Sequence, residues 1–116
     1  MIIEVKGRNV SVTDELREHV ERRFRTIGKQ VSELARLEIE FLHERNPSIA
    51  DGQVVEATLS LKGTTLRARD GARDFKHAIN LCEEELSRQV KRHRAKRRRR
   101  REAHAASPRQ GIQPAT

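Results

Sequence analysis

The sequence predicts an α+β domain in which two helices pack on one face of a four-stranded sheet. Four short runs alternate apolar and polar residues with a period of two, and two longer stretches repeat apolar residues at steps of three or four. Along the chain of 116 residues these elements follow the order β-α-β-β-β-α. Two helices on one face bury every apolar stripe and leave the other face of the sheet in solvent.

The first strand and the first helix open the chain. Alternation over residues 3–6 predicts a short strand that stops at Gly7. Thr13 is placed to cap a helix, since a hydroxyl there accepts a hydrogen bond from the first turn. The end of this helix is expected between Gly28 and Leu34, because glycine weakens its last turns. The apolar stripe of the helix comprises Leu16, Val20, Phe24, Ile27 and Val31.

Three further strands are predicted to form an antiparallel meander. A loop over residues 43–52 separates the second strand from the third, and a turn at residues 62–64 separates the third from the fourth. Asp70-Gly71 is expected to break the last strand. The inward-facing positions are Leu37, Ile39, Phe41, Val55, Ala57, Leu59, Leu61, Leu66 and Ala68.

The second helix is predicted to begin near Ala72 to Asp74. After Val90 its apolar stripe stops, while helix-favouring residues continue to about Arg101. The last turns therefore have nothing to bury, so they should project past the sheet and fray without a partner. The stripe comprises Phe75, Ala78, Ile79, Cys82, Leu86 and Val90.

These elements predict one folded domain with a polar appendage. Residues 1–96 form the α+β domain, and residues 97–116 form an arginine-rich helical extension followed by a tail. From Ala103 onward the composition is typical of a disordered tail.

Positive charge is concentrated near the C-terminal end. The chain holds 25 Lys and Arg against 17 Asp and Glu, a formal net charge of +8. Residues 88–101 contain ten basic residues and no acid, whereas residues 1–87 contain 14 basic and 16 acidic residues. Such asymmetry suggests an anionic partner, either nucleic acid or an acidic membrane surface, and resembles nucleic-acid-binding arms.

No catalytic, metal or cofactor site is predicted. Cys82 lies on the apolar stripe of the second helix, where a small core residue is a better interpretation than a nucleophile. Glu83, Glu84 and Glu85 fan around the helix axis instead of facing one another. No glycine-rich loop could hold a phosphate, and no small-molecule substrate is indicated. The histidines have no metal-binding spacing; they are His19, His43, His77, His93 and His104.

A cytoplasmic protein without a membrane segment is expected. A single cysteine cannot form an internal disulfide, so a reducing compartment is the default. No apolar run approaches the ~20 residues that a membrane span needs. The first ten residues lack the plan of a signal peptide.

Cations from both helices are the candidate site. Arg22, Arg25 and Lys29 fall opposite the apolar stripe of the first helix, where Glu15 and Glu18 leave an ordinary charged face as the alternative. Because both helices cover one side of the sheet, their outer faces can share one polyanion. The candidate RNA-binding residues are Arg22, Arg23, Arg25, Lys29, Arg88, Lys91, Arg92, Arg94, Lys96, Arg97, Arg98 and Arg99.

The aromatic content indicates which features of a nucleic acid the protein can recognise. The chain has no Trp or Tyr, and its three Phe residues occupy predicted core positions. Modules that read single strands use exposed aromatic side chains for stacking, so phosphates and shape are the expected targets here. The arginine run alone would bind any nucleic acid, so specificity is expected from the shape of residues 1–96.

Two segments resemble a known family. VTDELREHVERRF (residues 12–24) and DFKHAINLCEEELSRQVKRHRAK (residues 74–96) resemble the bacterial ribosome hibernation-promoting factors, also called ribosome-associated inhibitor or sigma-modulation proteins. The outline of the fold is similar to a double-stranded-RNA-binding domain with a strand added in front. The matching residues are Thr13, Arg17, Val20, Arg23, Asp74, Ala78, Ile79, Asn80, Leu86, Arg88, Gln89 and Lys91.

This resemblance implies binding to the small ribosomal subunit. Family members contact 16S rRNA through basic residues of both helices, in the channel that holds mRNA and the A- and P-site tRNAs. Occupancy blocks initiation and stores idle ribosomes in stationary phase or stress, by steric exclusion. The sequence departs from the family where Phe75 and Lys76 replace Met-Tyr, and where Thr26 and Glu85 stand at positions that often carry lysine.

Family members come in short and long forms, and the length here corresponds to the short form. The sequence after Arg101 contains no apparent dimerisation domain, although the chain could be a fragment of a longer form. Two other functions stay open. One is a general nucleic-acid-binding protein, such as a nucleoid protein or RNA chaperone, in which the arginine tail dominates. The other is a regulator that binds a protein through the open sheet face.

Overall fold

The computed structural model describes residues 1–44 and 52–112, with side chains as far as residue 103. The predicted α+β class and element order are confirmed. The elements are β1 (Ile2–Gly7), α1 (Asp14–Gly28), β2 (Arg36–His43), β3 (Gln53–Leu61), β4 (Thr64–Ala72) and α2 (Phe75–Ile112).

The four strands form one sheet in the order β1-β2-β3-β4. β1 runs parallel to β2, because α1 carries the chain back across the sheet between them. The pairs β2–β3 and β3–β4 are antiparallel, which confirms the predicted meander. Gly63 adopts a φ of 77° in the turn between β3 and β4, a conformation that side chains other than glycine rarely accept.

The core lies between the sheet and the two helices. Ile39, Ala57 and Ala68 are aligned across β2, β3 and β4 and are buried, as the alternation predicts. Phe41 and Phe75 close one end of the core with their rings in edge-to-face contact, 5.1 Å between centroids. Fully buried helix residues are Val20, Phe24, Ile27, Ala78, Ile79, Cys82, Leu86 and Val90.

Both helices begin with a side-chain cap. The Thr13 hydroxyl accepts a hydrogen bond from the Leu16 amide (3.2 Å), which confirms the predicted cap of α1. The Asp74 carboxylate accepts one from the His77 amide (2.7 Å) at the start of α2. Each cap satisfies a backbone donor that has no partner within the first turn. The end of α1 at Gly28 lies within the predicted interval.

Two boundaries differ from the sequence-based expectation. The predicted break at Asp70-Gly71 is wrong: β4 continues to Ala72, because Gly71 still pairs with Val54 and Ala72 with Gln53. The end of α2 lies at Ile112, beyond the expected end near Arg101. The division of the chain at residue 96 and the disordered tail stay predictions. Residues 45–51 of the predicted loop, and residues 113–116, lie outside the described residues.

The sheet face opposite the helices carries both signs of charge. Glu40 pairs with Arg8 (2.6 Å) and Lys6 (3.6 Å), and Arg69 pairs with Glu56. At one end of this face, Leu42 and Val54 are buried although they point away from the helices. Apart from the half-exposed Ile2, the remainder of the open face is polar and carries both signs of charge.

Candidate nucleic-acid interface

The two helices lie side by side and run in the same direction. Glu15 pairs with Lys76, and His19 Nε2 lies 2.8 Å from Asn80 Oδ1. One turn further on, the Arg23 guanidinium reaches Glu84. The partners keep a constant separation of 61 residues in these three successive pairs, which requires parallel axes. Both helices therefore turn their outer surfaces to the same side of the molecule.

α1 contributes three exposed cations to that outer surface. Arg22, Arg25 and Lys29 are exposed, whereas Val20 and Phe24 on the opposite side of the helix are fully buried. Within the part of the chain that the structure describes, none of the three forms an ion pair. Their charges are therefore available to an external anion. Glu18 and Glu21 are exposed within one turn of them, so an ordinary charged face stays the alternative.

Arg23 differs from its neighbours on α1. Its Nε lies 3.2 Å from Glu83 Oε1, its Nη2 lies 3.3 Å from Glu84 Oε1, and its side chain is 37% exposed. Burial raises the pKa of the Glu83 carboxyl above its ordinary value, and the Arg23 charge offsets only part of that rise. Arg23 thus joins α1 to α2 and presents little free charge to a partner.

On α2, the cations that face outward begin at Arg88. Its guanidinium pairs with Glu85 one turn earlier (2.8 Å), and this hydrogen bond lowers the pKa of the Glu85 carboxyl. Lys91 and Arg92 follow on the same side of the helix and are exposed. Steps of three and four residues continue this outward strip through Arg98 and Arg99.

Consecutive arginines beyond residue 96 surround the helix. Each residue is rotated by about 100° from its predecessor, so the arginines of residues 97–101 cannot all face one surface. Arg94 points back toward the end of α1, where its guanidinium donates to Gln30 Oε1 (3.5 Å). Lys96 lies with Arg92 and Arg99. Arg97 and Arg101 lie instead with Gln30, so the run presents positive charge on more than one side of the helix.

Apart from their charges, the side chains near these surfaces offer few groups that could act as a nucleophile or a metal ligand. Cys82 is fully buried, and burial raises the pKa of its thiol to about 12, so a thiolate nucleophile does not form near neutral pH. Asp70 lies beside α2, where burial and the charge of Glu85 raise the pKa of its carboxyl. Within the described residues, no cluster of three His, Cys, Asp or Glu side chains could hold a metal ion.

The structure places the twelve sequence-predicted residues on two adjacent helices. Some of these residues are ion-paired and others are not. Arg23 and Arg88 are ion-paired, and the arginine run spreads around its helix. Sequence reasoning missed two other cations, Arg36 and Lys62, which lie at the end of the sheet beside α2. Each stands alone in its segment, so no local pattern distinguishes it from an ordinary surface charge. The contribution of every one of these residues to RNA binding stays a prediction.

Fold and site together define an α+β domain that presents unpaired cations from two parallel helices. A family model described as sigma 54 modulation protein / S30EA ribosomal protein matches residues 3–98. The chain therefore belongs to this family, and the resemblance noted at residues 12–24 and 74–96 is confirmed.

Relatives with curated names support the same assignment. A ribosome hibernation promotion factor of Lactococcus lactis subsp. cremoris is 30% identical over 96 residues, covering 79% of this chain and 49% of that protein. A ribosome hibernation promoting factor of Acinetobacter guillouiae is 26% identical over 99 residues, covering 81% of this chain and 88% of that protein. The chain spans about half the length of several curated relatives that it matches.

A solved structure supports the fold. A ribosomal subunit interface protein from Coxiella burnetii superimposes with a TM-score of 0.70 at 22% identity, covering 82% of this chain and 99% of that one. Across residues 1–44 and 52–112, none of the helices is both long and apolar enough to cross a membrane.

Proposed function

We propose that this protein silences translation by binding 16S rRNA of the small ribosomal subunit. The bound domain occupies the channel for mRNA and the A- and P-site tRNAs and excludes them sterically, without a chemical step. It acts in the bacterial cytoplasm under stress or in stationary phase, when idle ribosomes are stored. Membership of the sigma 54 modulation / S30EA family supports this proposal.

One observation carries the proposal: unpaired cations of both helices face the same side of the domain. The exposed cations of α1 (Arg22, Arg25 and Lys29) and of α2 (Lys91 and Arg92) are turned away from the sheet. A folded RNA offers phosphates at fixed positions on a rigid surface, and cations on two rigid helices match such a surface. The opposite face of the sheet pairs its charges internally and suits an anionic partner poorly.

Charge reversal on the outward strip tests the proposal. The variant Lys91→Glu/Arg92→Glu is expected to lose on the order of 10²-fold in affinity for small subunits, because it removes two phosphate contacts and adds repulsion. Inhibition of in-vitro translation and competition with tRNA should be lost in parallel. The matched control Lys6→Glu/Arg67→Glu makes the same charge change on the open sheet face, and circular dichroism checks both folds.

The outcomes separate the proposal from its competitor. If the Lys91/Arg92 variant folds and still inhibits translation, those residues do not belong to the site. If the sheet-face control loses inhibition instead, the regulator that binds through the open face is favoured.

A general nucleic-acid-binding protein is the second candidate function. The radial spread of residues 97–101 favours it, since charge in all directions suits any polyanion. Replacing these five arginines by glutamine in the full chain separates the two functions. A ribosome-directed protein keeps competing with tRNA on small subunits and loses affinity for duplex DNA, whereas a general binder loses both.

A further inference from the structure

A groove opens where α2 leaves the end of the sheet. Its cavity volume is about 540 Å³. One wall is the segment after α1, and the floor includes the end of β3 and its turn. The other wall is the side of α2 that faces the sheet beyond Val90. The groove lies next to the outward strip but on a different side of the same helix.

The floor of this groove is apolar and reaches solvent. Val31, Leu61 and Val90 line it, together with Leu34, whose side chain is 86% exposed. Leu34 and Ile2 are the large apolar residues exposed within residues 1–44 and 52–103. Exposed leucine at the mouth of an apolar groove is typical of a contact surface.

The walls of the groove are cationic. Lys62, Arg94 and Arg97 line it, joined by Arg36, which pairs with Glu4 at 3.3 Å. None of the described residues that line the groove carries a carboxylate. His93 also lines it, and its Nε2 atom is buried without a hydrogen-bond partner among the described residues. An apolar floor between cations fits a planar group that carries phosphate.

We infer that this groove receives one unstacked nucleobase of the bound ribosomal RNA. The base lies on the floor formed by Leu34 and Leu61, and its flanking phosphates pair with Arg94 and Arg97. Unstacked RNA bases commonly lie on arginine planes or aromatic side chains. Flipped bases also lie against apolar side chains. This inference rests on the proposed function and adds a subsite to it.

Continuity of charge favours RNA over other anionic partners. Arg97 also lines an adjoining recess, together with Gln30, Arg98 and Arg101. The cations therefore lead from the groove along α2 for about two turns, as a strand with phosphate at every nucleotide requires. A partner with a single acidic group would pair only with the cations at the groove itself. The base subsite also gives the domain a preference for one RNA site over others, which phosphate contacts cannot supply.

The experiment replaces Leu34 by serine in the full chain. Leu34 is outside the core, so L34S is expected to keep the fold. Its affinity for small subunits should fall about three- to tenfold, because apolar contact with the base is lost. The dependence of the affinity on salt should not change, since no phosphate contact is removed. Ile2→Ser, at the other exposed apolar residue, is the matched control and should bind like the parent chain.

The salt dependence of the affinity for small subunits distinguishes apolar contacts at the floor of the groove from phosphate contacts at its wall. Arg97→Gln should lower the slope of log K against log salt by about one, because it removes one phosphate contact. The base subsite is overturned if L34S binds like the parent chain. It is also overturned if L34S lowers the slope of log K against log salt. Failure of the parent chain itself to bind small subunits contradicts the proposed function, which is a separate result.

A photo-cross-linking side chain at position 34 identifies the occupant. A cross-link to an unpaired nucleotide of 16S rRNA supports the inference. Cross-links only to a ribosomal protein or to a base-paired helix overturn it, and so does no cross-link in an intact complex. Free adenosine monophosphate is the second probe. Saturable binding that L34S abolishes, without any effect of L34S on subunit affinity, assigns the groove to free nucleotides instead.

Discussion

Within α2, the packed half (residues 75–90) and the projecting half (residues 91–112) meet the rest of the molecule differently. The packed half places Ile79, Leu86 and Val90 against the sheet with no exposed surface. Residues 91–103 contain no apolar side chain larger than alanine, and the basic ones are exposed apart from the partly buried His93. One helix therefore contains a segment held by burial and a segment whose strongest possible contacts are with anions outside the chain.

The contrast shows that different segments of α2 hold the helix on the sheet and supply its free positive charge. Acidic residues of the packed half pair with cations, as Glu83 does with Arg23 of α1 and Glu85 with Arg88. The projecting half repeats like charges at steps of four, and each such pair destabilises an isolated helix by roughly 0.2–0.5 kcal/mol. A polyanion removes that repulsion, so binding and helix stability are expected to support each other there.

Truncation of a core side chain in the packed half should produce the largest effect. Leu86→Ala removes a fully buried side chain and is expected to lower the free energy of unfolding by about 2–5 kcal/mol. Arg99→Ala, in the projecting half, should change it by no more than about 0.5 kcal/mol. Urea denaturation of both variants checks the pair. Similar losses would show that the projecting half is also held by packing.

Neutralising a free cation and a paired cation should have opposite consequences. Arg22→Gln removes an unpaired charge and should weaken binding to small subunits about fivefold, with no change in stability. Arg23→Gln leaves Glu83 and Glu84 without their partner, so it should lower the free energy of unfolding by about 1 kcal/mol with little change in affinity. Anisotropy titrations and thermal melts measure the two effects. An equal loss of affinity in both variants would contradict the distinction.

The smallest effect concerns the pH dependence of stability beside the packed half. The pKa of Asp70 is raised by burial and by Glu85, so ionisation of Asp70 disfavours the folded state. Its contribution to stability is present below the unfolded pKa and is lost as pH rises through the folded pKa. Asp70→Asn should therefore raise the melting temperature slightly near pH 7, and the gain should disappear below about pH 4.

Glu102→Gln in the projecting half is the matched control for Asp70→Asn. Its side chain is exposed, so the melting temperature is expected to match that of the parent chain at each pH. A gain for Asp70→Asn that persists in acid would mean that a cause other than ionisation raises its stability.

Local patterns were sufficient to predict most of the fold. Periodicity located both helices and all four strands, and the cap at Thr13 followed from its hydroxyl alone. The course of β4 through Asp70-Gly71 could not be predicted, because pairing with Val54 outweighs the local tendency of Asp-Gly to turn. Such pairing depends on a strand distant in sequence.

The candidate site was only partly accessible to sequence reasoning. A helical wheel separates Arg23 from Arg22 by about 100°. It does not show that Glu83 and Glu84 pair with Arg23, since those carboxylates lie roughly 60 residues away in the sequence. The groove beside Leu34 has no sequence signal at all. It forms because α2 continues past the end of the sheet and stands over the segment after α1.

The salt dependence of binding to small ribosomal subunits tests the central claim most directly. Three chains are compared: the parent, one with Arg22, Arg25 and Lys29 changed to glutamine, and one with Lys91, Arg92 and Arg99 changed to glutamine. If both helices contact one rRNA surface, each triple variant should lower the slope of log K against log salt by about two to three. A slope that only the α2 variant changes would show that α1 lies away from the RNA, and would contradict the shared surface.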